Sequence, residues 1–122
     1  MTLEVCYQKL GGDYEEVVTR LVKEDRIEKY VLKFLEDTSF EELCKAKREM
    51  NHEEVFRMIH TLKGVSQNLG FGDLYKASHV MTEAVRGGVK LQDESLFTAV
   101  KDAYSETMHA IEQFVGENHL AL

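Results

Sequence analysis

Apolar positions recur along this chain at intervals of three and four, the period of helices that bury one face. Val17, Val18, Leu21 and Val22 keep that spacing, and Ile27, Tyr30, Val31, Phe34 and Leu35 continue it to Asp37-Thr38. A helix over 13–36 is expected there, kinked at Lys23-Glu24-Asp25, with a shorter one over 2–10 before it. Phe40, Leu43, Cys44 and Met50 predict a helix over 39–50, and Val55, Ile59, Leu62, Val65 and Leu69 a strongly amphipathic one over 52–69. Gly70-Phe71-Gly72 interrupts the period. Leu74, Ala77, Met81, Ala84 and Val85 define the next helix, which Gly87-Gly88 should end in a left-handed turn. From Asp93, an N-cap candidate, Leu96, Val100, Tyr104, Met108, Ile111 and Val115 run on to Gly116.

Capping-box pairs, a small polar residue followed three later by Glu, stand at Asp13/Glu16, Ser39/Glu42 and Asn51/Glu54. Connections of about two to five residues between the last four helices make neighbours antiparallel. The expected fold is therefore all-α, an up-down-up-down four-helix bundle with additional N-terminal helices. A length of 122 residues fits one such domain, and the lack of any proline argues against a many-turned β protein.

Charge narrows the partners. Asp and Glu outnumber Lys and Arg by 22 to 15, and a net charge of -7 repels both a phosphate backbone and an anionic membrane. No nucleic acid and no membrane partner is expected. The opening Met-Thr-Leu-Glu-Val-Cys has no basic start followed by an apolar run, so the expected location is cytoplasmic. Cys6 and Cys44 stand 38 residues apart without a nearby mate and read as reduced filler.

Candidate chemistry sits on the helix over 52–69. At about 100° per residue from Leu62 as the core direction, His60 falls at about 160°, Gly64 at about -160°, Gln67 at about 140° and Lys63 at about 100°. His60, Gly64 and Gln67 thus form an outward column with Lys63 beside it. A glycine inside a helix costs about 1 kcal/mol relative to alanine. On an exposed face nothing in the core demands it, so the notch one turn past the imidazole points to a partner's close approach. A neutral imidazole attacks a phosphoryl group without prior deprotonation, while a lysine and an amide donor can hold the phosphoryl oxygens.

The run His60-Thr61-Leu62-Lys63-Gly64-Val65-Ser66-Gln67-Asn68-Leu69-Gly70 closely resembles the signature of histidine-containing phosphotransfer domains, in which His, then Lys three on and Gly four on, mark a surface helix of a four-helix bundle. The likeness in helix order covers roughly residues 25–117, leaving 1–24 as a helical extension of one domain spanning 1–122. The resemblance implies that His60 accepts the phosphoryl group, that Lys63 steadies it and that Gly64 clears the approach of a receiver domain's aspartate. It also suggests Nε2 as the acceptor atom. The family often carries Gln or Glu 22 residues after the histidine, where this chain has Thr82. Gln67 is the alternative hydrogen-bond donor, and Arg86 matches a position where some members place a second cation.

With no Gly-rich nucleotide loop, the expected role is that of a phosphocarrier rather than an enzyme. The resemblance implies response-regulator receivers and the receiver of a hybrid histidine kinase as partners, no cofactor of its own and Mg²⁺ on the receiver; a monomer is expected, although the sequence does not determine the oligomeric state. Phe56, at about 120°, and Phe71 are placed either to join the apolar ring on which a receiver docks or to pack beneath the N-terminal helices. The competing readings are a scaffolding bundle and a di-iron bundle. For the latter, Glu49/His52 and Glu106/His109 have the required Glu-x-x-His spacing. Asn51 as a helix start would put Glu49 and His52 on either side of a loop. His52, His79, His109 and His119 read as surface or boundary residues.

Overall fold

The computed structural model describes residues 1–21 and 23–118. Val22 and His119, both part of the sequence reading, lie outside the described residues. The helices are α1 (Leu3–Lys9), α2 (Tyr14–Leu21), α3 (Glu24–Phe34), α4 (Ser39–Arg48), α5 (His52–Leu69), α6 (Gly72–Ala84) and α7 (Ser95–Asn118). No strand occurs among the described residues.

The last four periodic segments become the bundle α4 to α7, with α5 packed between α4 and α6 and α7 against α6. Phe40, in the first turn of α4, stacks on Tyr104 at 4.2 Å and on Phe97 at 6.1 Å. Lys47, further along α4, reaches Glu94 just before α7. These contacts run in opposite directions along the two helices, so α4 and α7 are antiparallel and the order is up-down-up-down. Val55, Ile59, Leu62, Ser66 and Leu69 are the buried residues of α5, as its stripe requires.

Several boundaries differ from the sequence reading. The expected helix over 13–36 is two helices, because Lys23 is extended (φ -115°, ψ 136°) and starts α3 anew instead of kinking one rod. Helix α4 stops at Arg48, and Met50 is not in its stripe: it takes φ 54°, lies 66% exposed, and lets Asn51 N–H bond the Ala46 carbonyl. The α6–α7 connection covers residues 85–94, longer than expected, while α7 continues through Gly116 to Asn118. Of the three capping boxes, Asp13 and Asn51 accept from the amides of Glu16 and Glu54. Ser39 does not cap. Its own amide donates to Asp37 Oδ1 at 2.8 Å, so the aspartate before it closes the helix start. Gly87 and Gly88 have the left-handed backbone expected of them, and Gly70 takes it as well, as the C-cap of α5.

Helices α1 to α3 cover one flank and one end of the bundle. Cys6 bonds the Ala110 carbonyl, Lys9 bonds Gln113 and the Met1 ammonium reaches Asn118, so α1 packs on the C-terminal half of α7. The turn at Gly11–Asp13 is clamped to the turn after α5: Asp13 N–H donates to Gly70 O at 2.9 Å and Asp73 N–H to Gly11 O at 3.0 Å. A Cβ on Gly12 would stand 2.5 Å from Gly70 O, and one on Gly72 2.5 Å from Gly11 O, so backbone-to-backbone approach excludes side chains from both positions. The Tyr7 hydroxyl, wholly buried, completes the clamp on the Leu69 carbonyl.

Candidate functional site

The outward face of α5 is built by the same period that buries its inner face. His60 and Gln67 are exposed, and Lys63 and Gly64 are half-exposed, which places all four on the side turned away from the core. Asn51 caps the helix at one end and Gly70 closes it at the other, with its N–H on Gln67 O and that of Phe71 on Ser66 O. The helix carrying the histidine is therefore terminated by its own sequence at both ends.

A Cβ added at Gly64 would meet no atom within 4 Å. This separates Gly64 from Gly12 and Gly72, where the fold itself leaves no room. Nothing among the described residues accounts for a helix-weakening residue at this position.

Neither nitrogen of His60 makes a hydrogen bond among the described residues; its ring neighbour is Phe56, one turn earlier, with centroids 5.8 Å apart and planes at 42°. Thr82 does not substitute for the family's ring partner. It is wholly buried, and its hydroxyl donates to Ser78 O at 2.7 Å within its own helix. Gln67 extends into solvent with its side-chain amide free among the described residues, while its carbonyl accepts from Arg20 at 3.2 Å.

Sequence reasoning missed Glu83. The Arg86 guanidinium hydrogen-bonds this exposed carboxylate and holds it below the usual range, and the positive charges of Arg86, His79 and Lys63 add to the effect. Lys63 and Arg86 therefore both act on this carboxylate, and Arg86 is a paired cation in the turn after α6. The three-residue spacing of Glu83 and Arg86 was the available signal.

Phe71 is a correction to the docking-ring alternative. It is wholly buried, touching the rings of Tyr7 at 5.8 Å and Phe34 at 5.1 Å, because α1 and α3 close over the end of the bundle. It packs beneath the N-terminal helices and offers no surface. Phe56 is half-buried against the core with its ring toward His60.

The metal alternative finds no geometry in its support. Glu49 ends α4 and His52 begins α5, while Glu106 and His109 both face outward on α7. Among the described residues, no group of three His, Cys, Asp or Glu side chains is placed to hold an ion. Helix α7, the longest, is not apolar enough to cross a membrane, nor is any other described helix.

What remains is an unhindered imidazole, an adjacent ammonium and an open approach, the components for accepting a group from a partner that brings its own charge stabilisation. The family model of the Hpt domain matches residues 29–112, from the second turn of α3 into α7. No curated protein and no solved structure matches the chain. Because the family match takes in well over half of the chain and the whole of α4, α5 and α6, the protein belongs to the Hpt domain family, the helical phosphocarriers of two-component phosphorelays.

Proposed function

We propose that this protein is a phosphorelay intermediate that accepts a phosphoryl group on His60 from the aspartyl phosphate of one receiver domain and passes it to another. The family supplies the class of chemistry, and the observation that ties it to this face is the empty space outside Gly64, next to the exposed His60. The donor is the receiver of a hybrid histidine kinase and the acceptor that of a response regulator.

In the forward step the Nε2 lone pair of a neutral His60 forms the N–P bond as the acyl P–O bond breaks, and the receiver's carboxylate leaves with the bonding pair. The phosphorylated ring is cationic until its Nδ1 proton passes to solvent. In the return step Nδ1 regains a proton from solvent, a second receiver's aspartate attacks phosphorus, and the N–P pair goes back to the ring, which leaves as neutral imidazole. Lys63 offsets charge on the phosphoryl oxygens, Gln67 offers amide donors, and Arg86 adds a second cation once it leaves Glu83. Mg²⁺ and most of the charge stabilisation come with the receiver, whose closeness Gly64 permits.

The test incubates the purified protein with a panel of Mg²⁺-loaded receivers carrying labelled aspartyl phosphate. Acid-labile, base-stable label mapping to His60 is the expected result. Equal labelling of His60→Ala would overturn the assignment.

A further inference from the structure

An exposed histidine on a helix has several staggered χ1 states and a broad χ2, yet in-line attack needs one ring nitrogen aimed at phosphorus. Among the described residues no hydrogen bond selects that orientation. The hydroxyl of Thr82, on the helix packed against α5, is committed to Ser78 O and turned inward. The Gln67 side chain lies on the far side of the Gly64 notch, seven residues along.

Phe56 is the aromatic group against the imidazole. Side chains on a helix lean toward its N-terminus, so His60 is carried over the turn bearing Phe56, its i-4 neighbour. Their centroid separation of 5.8 Å and tilt of 42° fall in the range of tilted aromatic pairs, where a positive ring edge meets a negative face. Phe56 is anchored by its packing on the core, whereas His60 is exposed. The phenyl ring is thus the fixed member and the imidazole the member that is oriented.

We propose that Phe56 is the positioning residue for His60: its ring restricts the imidazole to the rotamer in which a nitrogen faces the approach over Gly64. This rests on His60 being the phosphoacceptor. It differs from a docking role because it acts on the histidine before any partner is present, and it requires an aromatic ring rather than apolar bulk.

The experiment compares wild type, Phe56→Leu and Phe56→Tyr with two phosphodonors. One is a phosphorylated receiver domain, and the other is phosphoramidate, which transfers to the ring nitrogen as its P–N bond breaks and ammonia leaves with the pair. Phosphoramidate has no docking surface, so it reads the histidine alone. Phe56→Leu is expected to lower the rate constant with both donors by roughly three- to tenfold, the range to which an aromatic pair energy converts, with receiver Kd unchanged. Phe56→Tyr should restore wild-type rates. NMR should show contacts between the Phe56 ring protons and His60 Hδ2 in wild type and in the tyrosine variant. Wild-type rates in Phe56→Leu overturn the proposal, as does a loss confined to receiver affinity with the phosphoramidate rate intact. If wild-type His60 takes label from neither donor, the phosphotransfer reading itself falls, an outcome distinct from a labelled wild type with an equally fast leucine variant.

Discussion

The Tyr7 hydroxyl of α1 donates to the Leu69 carbonyl at the end of α5 across 2.7 Å, inside the protein. It ties a helix outside the family match to the helix that carries His60. Tyr7→Phe leaves a buried carbonyl unpartnered and should cost about 1–3 kcal/mol. Urea unfolding measures it as a lower midpoint with an unchanged slope. An unmoved midpoint would mean the carbonyl finds another donor.

Gly64 and Gly12 should respond in opposite directions to the same change. Gly64→Ala adds a Cβ in open space and should stabilise the helix by about 0.5–1 kcal/mol. Gly12→Ala drives a Cβ toward the Gly70 carbonyl and should lower stability. Thermal unfolding of the two variants checks the pair. Gly64→Gln should keep the helical circular dichroism of wild type and lose transfer from a cognate receiver; transfer at the wild-type rate would show that the notch has no role in access.

Lys63 and Glu83 should oppose one another. Lys63→Ala removes a cation from an outer face and should slow transfer by about tenfold, the low end for a charge-assisted contact, without changing the unfolding midpoint. Glu83→Gln frees Arg86 and removes an anion whose field overlaps that of Lys63, so transfer from an anionic receiver should quicken at low ionic strength. Stopped-flow rates at two salt concentrations test this. An effect of Glu83→Gln that persists unscreened at high salt would contradict an electrostatic origin.

Burial pushes the Cys6 thiol from 9.0 up to about 11, with Lys9 opposing slightly. The thiol ionises more easily unfolded than folded, so its contribution to stability is complete below pH 9 and is lost as pH rises toward about 11. Wild type should therefore lose more stability across that interval than Cys6→Ala does. Burial also pushes the pKa of the Tyr7, Tyr14 and Tyr104 hydroxyls up; the shares of Tyr14 and Tyr104 are common to both proteins, while the Cys6 charge adds to the rise at Tyr7 only in wild type, in the same direction as the difference expected. Equal slopes of unfolding free energy against pH would show that Cys6 does not contribute.

Features set by nearest neighbours along the chain are legible in the sequence. The α5 stripe, the outward column of His60, Gly64 and Gln67, and the caps at Asp13 and Asn51 follow from a repeat of 3.6 residues and from local side-chain to backbone bonds, and the left-handed Gly87 and Gly88 from the glycine pair itself. The failures share a cause as well. Ser39 satisfies the capping pattern, yet a carboxylate two residues earlier competes for the same helix start, a choice among local bonds that spacing does not rank. The break at Lys23 has no proline or glycine to announce it and is held by the packing of α2 on α3.

By itself, the sequence determined a helical bundle and the face on which its histidine stands, because a helix's period assigns each side chain a direction relative to its own buried stripe. Only the tertiary structure decided what covers those directions. The period alone leaves Phe71 free to face a partner, but α1 and α3 close over it; it leaves Thr82 within reach of the imidazole, but its hydroxyl turns to Ser78. The emptiness outside Gly64 belongs to the same class, because no other described element docks there. Contacts between helices depend on how whole elements dock, and that is settled by the summed burial of residues distant in sequence.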